Sequence, residues 1–430
     1  MRDHRDHAAH LALAAVAVFL VLATHTRVGG WNDASRLAMV EAIVERGHLW
    51  IDGTHMSRFT GDIVRIDGRF YSDKPPALAF AAVPVYALQV ALGSTFRKNL
   101  PETYYWTTLL TVGLTTLLGL VFLERFLRRF VPDARWRAAT VLGLGLGTLN
   151  TAYSVTFSNH PPSATALLAG FLLAWHWRRS GGPLVVVALA GLAIGVAALT
   201  DHAAILYAPA ILAYLVWPRT QRHAAAGLAF AVAVALSLAA YAVYAIALSG
   251  SPRPLPLQPA LFQYPGSYFA DPAHLPGRGF AHASWRALLD YSALCLVGYR
   301  GLFTITPTLL LIFAGMLRIA ASRTHPRRAE AMVALIPTLG VIAYYLVTST
   351  EAGGNAYGVR WFCLFIPLFY VFLVDAYRTI GSAIGRVFFW AAYAVSIPLA
   401  LVGAIDPWLD PTPYGTGFAW VLVLRSRGWL

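Results

Sequence analysis

Long apolar runs recur from one end of this chain to the other, and they constrain its fold more than any other feature. Each run holds about 17–25 residues, the length that a helix needs to cross about 30 Å of hydrocarbon. Only 12% of the residues are charged, against about 25% in a soluble domain. Inside lipid, only helices and closed barrels satisfy every backbone hydrogen bond, and the runs lack the alternation of barrel strands. The sequence therefore predicts an all-α polytopic membrane protein.

The runs predict a bundle of about 11–13 transmembrane helices. We place the spans at residues 8–26, 76–93, 104–123, 137–153, 161–177, 183–199, 203–217, 224–248, 291–317, 331–348, 361–376 and 386–403. We interpret the first run as a retained span, because no small-residue cleavage pattern follows it. Residues 1–430 are expected to form a single integral membrane domain, with a first long loop (27–75), a second long loop (249–290) and a short C-terminal tail (404–430).

The second long loop is rich in proline, glycine and aromatic residues, and we expect it to be ordered and non-helical. Its prolines are Pro252, Pro254, Pro256, Pro259, Pro265, Pro272 and Pro276.

The net charge of +13 comes from arginines in short connections between the spans, which is typical of cytoplasmic loops and does not indicate nucleic acid. The arginines are Arg125, Arg128, Arg129, Arg135, Arg137, Arg178, Arg179, Arg219, Arg222, Arg318, Arg323, Arg327 and Arg328. Both cysteines lie in apolar surroundings, so neither a disulfide nor a metal site is expected from them. No His, Asp or Cys set has metal-ligand spacing, and His4, His7 and His10 are interpreted as a basic tail.

This charge bias leaves one difficulty in the topology. If the arginine-rich loops are cytoplasmic, the two long loops face the opposite side. With the N-terminus also inside, one span too many or too few remains between residues 76 and 123. Either the run at 76–93 does not cross completely, or a short span has been missed.

The first long loop holds most of the acids and bases outside the arginine-rich connections. Asn32 or Asp33 can cap a helix that runs to Arg46 and ends at Gly47. Its apolar residues form one stripe, which suits a helix in the membrane interface; they are Leu37, Val40, Ile43 and Val44. Arg36 is interpreted as an interfacial charge or a partner of Asp33.

The same loop contains a hairpin signal. Asp67-Gly68 between two short apolar segments predicts a hairpin with a type I′ turn. Lys74 then stands just before Pro75-Pro76, which can open a helix. A lysine at a helix N-terminus is a natural phosphate site.

These elements resemble the GT-C superfamily of membrane glycosyltransferases, and within it the protein O-mannosyltransferase and lipid A aminoarabinose transferase type. The resemblance is carried by Asn32-Asp33-Ala34-Ser35-Arg36 after the first span and by Ser72-Asp73-Lys74-Pro75-Pro76 before the second. Further similarity lies in residues 157–162, 298–303 and 353–361. The family usually has two acids at the first motif, where this chain has Asn32-Asp33.

The resemblance implies transfer of a sugar from a polyprenyl-phosphate carrier to an acceptor hydroxyl, with inversion and without a metal or other cofactor. It gives Asp33 the role of general base and Lys74 the contact with the carrier phosphate. Arg360 and Arg300 are candidates for further phosphate contacts, since arginine can bind phosphate through two hydrogen bonds. The remaining candidates for substrate binding are Tyr357, Asn159, His160 and Asp201.

Each of these residues also has a structural interpretation. Asp33 can be a helix cap and Lys74 a lysine that anchors a span end. Asp201 needs a partner or water between its two apolar runs. A transporter or flippase of lipid-linked sugars would share the apolar body, but it predicts internal repeats, which we do not find. A non-catalytic scaffold for envelope assembly is the third alternative.

The expected partners are the lipid-linked donor, a lipid, glycan or protein acceptor, and membrane lipids. The expected location is the cytoplasmic (inner) membrane, with the active site on the extracytoplasmic side.

Overall fold

The structure of this protein is a computed structural model that describes residues 6–218, 220–271, 274, 279–410 and 417–430. His4, Arg219, Pro272, Pro276 and part of the predicted C-terminal tail lie outside these residues. The helices are α1 (His7–Ala23), α2 (Trp31–Arg46), α3 (Ala77–Ala91), α4 (Leu100–Thr108), α5 (Leu114–Leu127), α6 (Ala134–Leu146), α7 (Leu149–Tyr153), α8 (His160–Ser180), α9 (Leu184–Thr200), α10 (Tyr207–Val216), α11 (Gln221–Ser249), α12 (Trp285–Leu296), α13 (Leu302–Ile305), α14 (Pro307–Ala321), α15 (Arg328–Thr348), α16 (Ile366–Val371), α17 (Leu373–Arg378), α18 (Ala383–Ile405) and α19 (Ala419–Ser426).

The helices confirm the predicted all-α polytopic membrane fold. In the part of the chain that the structure describes, four helices are long and apolar enough to cross a membrane: Leu100–Leu127, Gln221–Ser249, Arg328–Thr348 and Ala383–Ile405. The first of these joins α4 and α5 through a π-helical segment, Leu109–Gly113. Shorter apolar helices accompany them at His7–Ala23, Ala77–Ala91, Leu184–Thr200, His202–Val216, Pro307–Ala321 and Arg360–Val371.

Three predicted spans are not continuous helices. The span at 137–153 breaks after α6, where Thr148 begins α7. The span at 291–317 is divided among α12, α13 and α14. A side chain at Gly298 would lie 2.6 Å from the backbone of Leu294, so the chain turns there in a way that only glycine permits. The span at 361–376 consists of a 3-10 turn (Arg360–Phe365) followed by α16 and α17. Two of these breaks fall at short stretches with glycine and polar residues, 147–150 and 298–301. A hydropathy window of about 19 residues averages over such short stretches and does not reveal them.

The long loop at 249–290 and the tail at 404–430 also differ in detail from the prediction. The loop contains short 3-10 turns, at Leu255–Leu257, Pro259–Phe262 and Tyr268–Ala270, and α12 begins inside its predicted range. The predicted tail contains α19, whose first residue, Ala419, donates a backbone hydrogen bond to Tyr299.

The contacts of α1, α4 and α5 resolve the difficulty in the topology. Asp6 forms salt bridges with Arg128 and Arg137, so the start of α1 and the end of α5 lie at the same end of the bundle. At the other end, the Tyr105 hydroxyl in α4 donates to the carbonyl of Val21 in α1 at 2.8 Å. The helices α1 and α4–α5 therefore each connect the two ends.

The helix α3 stays at one end of the bundle. Its Tyr86 donates a hydrogen bond to Glu45 near the end of α2. Near its C-terminus, Gln89 donates to Thr107 in α4 at 2.9 Å. Its 15 residues extend only about 22 Å. These contacts support the first of the two alternatives, in which the run at 76–93 does not cross completely.

The first long loop contains the predicted helix and hairpin. The helix α2 ends at Gly47, whose φ of 70° is the left-handed conformation of a helix stop. The strands β1 (Ile63–Ile66) and β2 (Arg69–Ser72) pair antiparallel, with Ile66 opposite Arg69. Asp67 and Gly68 both have positive φ, 49° and 81°, as a type I′ turn requires.

The start and the surroundings of α2 differ from the prediction. The N-cap is Gly30, so Asp33 occupies the third helical position instead of the cap. The helix is also more enclosed than an interfacial stripe requires, because every residue from 33 to 42 is buried. The polar side chains of its first turns therefore lie inside the protein.

Candidate active site

The carboxylate of Asp33 is completely buried at the start of α2. It accepts hydrogen bonds from the backbone N–H of Gly30 to Oδ1 at 2.9 Å and of Gly29 to Oδ2 at 3.1 Å. The hydroxyl of Tyr104 donates to Oδ2 at 2.7 Å. Burial raises the pKa of Asp33 to about 6, although the bonds from Tyr104 and Gly29 act in the opposite direction.

A hydrogen-bonded network around Tyr104 holds the Asp33 carboxylate in position. The Tyr104 oxygen lies 2.9 Å from the Thr156 hydroxyl and accepts a bond from the backbone N–H of Phe157 at 3.1 Å. The indole N–H of Trp408 donates to the Thr156 oxygen at 3.0 Å. Trp408 also fills the space beside Gly29, where a Cβ would lie 2.0 Å from the indole ring. The network links the first loop to α4, to the segment before α8 and to the segment after α18.

Lys74 lies between two carboxylates of the first loop. Its ammonium is 2.8 Å from Asp62 and 3.0 Å from Asp73. Asp73 is buried, and its Oδ1 has no hydrogen-bond partner among the described residues. Burial raises the pKa of Asp73 to about 6, although the charge of Lys74 lowers it. Ser35 in α2 holds this segment in place, with its hydroxyl 2.7 Å from that of Ser72.

Arg36 is a buried cation beside these carboxylates. Its guanidinium donates to the carbonyl of Asn32 at 2.9 Å and to the Asn32 side chain. Its Nε lacks a partner within the described part of the chain. Burial lowers the pKa of Arg36 to about 10, whereas the charges of Asp73 and Asp62 raise it. The prediction of an interfacial charge or of a partner for Asp33 is therefore wrong.

His160 and Asp201 form a buried pair between α8 and α9. His160 Nδ1 lies 3.0 Å from Asp201 Oδ2. His160 Nε2 is buried and meets no partner in the residues that the structure describes. Asn159 clamps the two helices together, since its amide donates to the carbonyl of Thr200 at 3.0 Å.

Arg360 is a further cation near Arg36 and His160. Its guanidinium stacks on Trp408, 5.0 Å from the ring centroid, and its buried Nε has no partner in the described ranges. Arg360 and Asp201 both act electrostatically on Arg36, and Arg360 also acts on His160. We call these side chains the charged cluster: Arg36, Asp62, Asp73, Lys74, His160, Asp201 and Arg360. Buried polar atoms are normally satisfied, so its open atoms indicate a place for water or ligand.

Arg300 and Tyr357 are engaged elsewhere. Arg300 donates to the carbonyl of Gly354 at 2.9 Å, although its buried Nε has no partner among the described residues. The Tyr357 hydroxyl donates to the carbonyl of Leu399 at 2.6 Å. Both contacts brace the segment before Arg360. The structure thus brings Lys74, His160, Asp201 and Arg360 into one cluster, whereas Arg300, Tyr357 and Asn159 hold the backbone around it.

Several residues of this region were not assigned roles from the sequence. Asp73 lies inside the motif that carried the resemblance, so its position next to Lys74 was an available signal. Asp62 precedes Ile63, which pairs with Ser72 in the predicted hairpin, so its position near Asp73 and Lys74 was also an available signal. Tyr104 and Trp408 come from distant parts of the chain, and no spacing indicates them.

No protein-family model and no curated protein sequence matches the chain. Among solved structures, ArnT from Cupriavidus metallidurans bound to undecaprenyl phosphate is similar with a TM-score of 0.55 and 15% identity, covering 92% of this chain and 69% of that one. The oligosaccharyltransferase of Archaeoglobus fulgidus gives a TM-score of 0.54 and 13% identity, covering 94% of this chain and 56% of that one.

The chain therefore has the fold of the GT-C membrane glycosyltransferases, as the sequence motifs predicted. A second structure of the archaeal enzyme, AglB in complex with an inhibitory peptide and a dolichol-phosphate, is similar with a TM-score of 0.53 and 15% identity. The chain covers 55% of that enzyme, so it spans little more than half the length of the archaeal proteins that it matches. At these identities the similarity concerns the fold.

Proposed function

We propose that this protein is a membrane glycosyltransferase that moves a sugar from a polyprenyl-phosphate carrier to an acceptor hydroxyl, with inversion at the anomeric carbon. The observation that carries the proposal is the charged cluster, in which buried cations and carboxylates keep several polar atoms open within a bundle of apolar helices. Solved structures of the same fold include complexes with undecaprenyl phosphate and with a dolichol-phosphate, which supports a lipid-phosphate donor.

The cations of the cluster would stabilise the leaving phosphate, which gains negative charge as the glycosidic bond breaks. Arg36 and Arg360 each have an Nε without a partner among the described residues. Arg36 also donates to Asn32, whereas the guanidinium of Arg360 stacks on Trp408, so Arg360 is the better candidate. Lys74 already bridges Asp62 and Asp73, so a phosphate must share it with these carboxylates. Arg300 would act less directly, by holding the segment that carries Arg360.

We assign the general base to Asp33. The acceptor oxygen would attack the anomeric carbon while its proton moves to the carboxylate and the phosphate leaves with the bonding electrons. The three donors to Asp33 leave one acceptor position on Oδ1, where an acceptor hydroxyl can bind. Asp73 is the second candidate, because its Oδ1 is open and its pKa is equally raised.

We place the protein in the cytoplasmic (inner) membrane with the charged cluster on the extracytoplasmic side. The arginine-rich loops meet at the other end of the bundle, because Arg129 contacts His176, Arg179 pairs with Glu330 and Arg327 stacks on Phe130. Such loops favour the cytoplasm. The acceptor would be a lipid, a glycan or a protein hydroxyl, and the transfer would need no metal.

The test is transfer by the purified protein in detergent, offered a panel of polyprenyl-phosphate sugars. Asp33→Asn, Asp73→Asn and Lys74→Ala are compared with two control variants. Asp67→Asn is the control for the carboxylates, because asparagine fits a type I′ turn, and Arg65→Ala in β1 controls for the loss of an exposed cation.

Turnover of one donor that a cluster variant abolishes, with both controls active, supports the transferase. Tight binding of a lipid-linked sugar without turnover of any donor would favour the transporter or the scaffold. Unchanged turnover after chelation with EDTA supports the metal-independent reaction, and loss of turnover contradicts it.

A further inference from the structure

The pair of His160 and Asp201 carries an inference that rests on the proposed function and names what this part of the site binds. Both side chains are buried, and Nδ1 lies 3.0 Å from Asp201 Oδ2. Asp201 is itself held, because its Oδ1 accepts the backbone N–H of Ala203 at 3.3 Å. The ring therefore has one satisfied nitrogen and one buried nitrogen, Nε2, without a partner in the described chain.

The contact with Asp201 decides which nitrogen carries the proton. An ionised carboxylate can only accept hydrogen bonds, so Nδ1 must be the N–H. In a neutral imidazole the other nitrogen then has a lone pair and no hydrogen. Burial lowers the pKa of His160, and the charges of Arg360 and Arg36 act in the same direction, although the contact with Asp201 raises it. His160 Nε2 is thus a hydrogen-bond acceptor, held in that state by Asp201.

This polarity divides the open atoms of the charged cluster into two groups. The Nε atoms of Arg36 and Arg360 are donors, which suit the oxygens of a phosphate diester. Asp73 Oδ1 and His160 Nε2 are acceptors. A phosphate diester has no hydrogen to donate, so it does not match the second group. A hydroxyl group does.

We propose that His160 Nε2 accepts a hydrogen bond from a substrate hydroxyl, and that Asp201 is a positioning residue that fixes the required tautomer. The hydroxyl belongs either to the transferred sugar or to the acceptor, and the chemistry recognised is the same. His160 is then a binding residue for the neutral part of the substrate, distinct from the cations that bind the phosphate.

The tautomer is measured directly by ¹⁵N NMR of histidine-labelled protein in lipid nanodiscs at neutral pH. The signal of His160 is assigned by its loss in His160→Gln. We expect a protonated Nδ1 and an unprotonated Nε2, and we expect Asp201→Asn to shift these signals. A proton on Nε2 in the wild-type protein, alone or together with one on Nδ1, would overturn the assignment without touching the proposed transferase.

The function of the acceptor atom is tested by comparing two substitutions. Glutamine at position 160 retains an oxygen acceptor, whereas leucine does not. We expect His160→Leu to lower kcat/KM by about 10- to 100-fold, as for a lost hydrogen bond that leaves a buried group unpaired, and His160→Gln to recover much of this loss. Equal activity of the wild-type and leucine proteins would contradict the inference.

Two further experiments show whether His160 contacts the phosphate and which molecule supplies the hydroxyl. Binding of undecaprenyl phosphate without a sugar should be the same in His160→Leu and wild type, and weaker in Arg360→Ala. A loss in His160→Leu as large as in Arg360→Ala would make His160 a phosphate ligand and refute the proposal. Turnover is then compared for a set of undecaprenyl-phosphate hexoses that each lack one hydroxyl. If one of them is turned over more slowly than the parent hexose by the wild type, but at the same rate as the parent by His160→Leu, the contact belongs to the sugar.

If every such hexose retains its relative activity, the same comparison with acceptors lacking a hydroxyl assigns the contact to the acceptor. If no acceptor shows the effect either, His160 binds no substrate hydroxyl. If the wild type turns over no donor and does not bind undecaprenyl phosphate, the proposed function fails, whereas the NMR result stands by itself.

Discussion

Buried charges are treated differently at the two ends of this bundle. At the arginine-rich end, Glu124 accepts hydrogen bonds from Arg128 at 2.9 Å and from Arg137 at 3.0 Å, and Arg137 also bonds Asp6. At the other end, the charged cluster leaves donors and acceptors open on Arg36, Asp73, His160 and Arg360. Paired buried charges hold helices together, whereas open ones require a ligand or water. At the arginine-rich end one buried acceptor, Glu330 Oε2, is open as well, although the other oxygen of Glu330 binds Arg179 and Tyr214. We call the arginine-rich end the structural end, and the end with the charged cluster, where four buried atoms of the described residues are open, the binding end.

The largest expected effect distinguishes Asp33 from Asp73, the two carboxylates of the binding end whose pKa is raised. Asp33→Asn should lower transfer per folded molecule by about 10²- to 10⁴-fold, the usual contribution of a general base. Initial rates in detergent measure it, with circular dichroism to count folded protein. If Asp73→Asn loses this activity and Asp33→Asn retains it, the base is Asp73. Asp33 then has only the structural role of binding the backbone N–H groups of Gly29 and Gly30.

The next effect concerns Arg360, one of the two cations of the charged cluster that have an open nitrogen. Arg360→Ala should lower the rate by about 10²- to 10³-fold, because a preorganised donor to the leaving phosphate is lost. Arg360→Lys should recover only part of it, since lysine lacks the planar fork of donors. If the rate of Arg360→Ala stays within a factor of two of the wild-type rate, Arg360 does not bind the leaving phosphate.

The pH dependence follows from the same carboxylates. A general base must be ionised, and the pKa of both Asp33 and Asp73 is raised to about 6 by burial. The rate should therefore fall about tenfold per pH unit below pH 6 and be level above it. Measuring kcat from pH 4.5 to 8 tests this, and a profile that stays flat down to pH 4.5 contradicts a base of this kind.

The smallest effect on transfer is expected at the structural end. Glu124→Gln removes the charge that both Arg128 and Arg137 share, which should lower stability by about 3 kcal/mol. Thermal unfolding in detergent measures the loss. Transfer per folded molecule should stay close to wild type, and a selective loss of activity without loss of stability would place function at this end as well.

Local patterns predicted the first loop well. The turn at Asp67-Gly68 and the helix stop at Gly47 depend on backbone preferences that act within a few residues, so the sequence alone indicates them. Breaks within the predicted spans were predicted less well. The residues from 291 to 317 are apolar on average, so hydropathy joins them into one span, whereas the chain turns at Gly298 beside the backbone of Leu294.

The candidate site shows the same division. Lys74 and Asp33 were found from motifs, and Arg360 and His160 from their polar character between apolar runs. Arg36 was misjudged because an arginine on an amphipathic helix normally faces water or lipid headgroups. Its burial depends on α3, the turn at Met56–Phe59 and β2, which pack against α2.

The sequence by itself determined that this chain is a multi-pass helical membrane protein and indicated a GT-C-type fold, because length, hydropathy and short-range motifs act locally and need no partner. Only the tertiary structure decided which charges meet. Asp33 reaches Tyr104, and His160 reaches Asp201, across long stretches of chain. Such contacts depend on how the helices cross in space. Whether a buried polar atom is paired or left open depends on which side chains the fold places next to it.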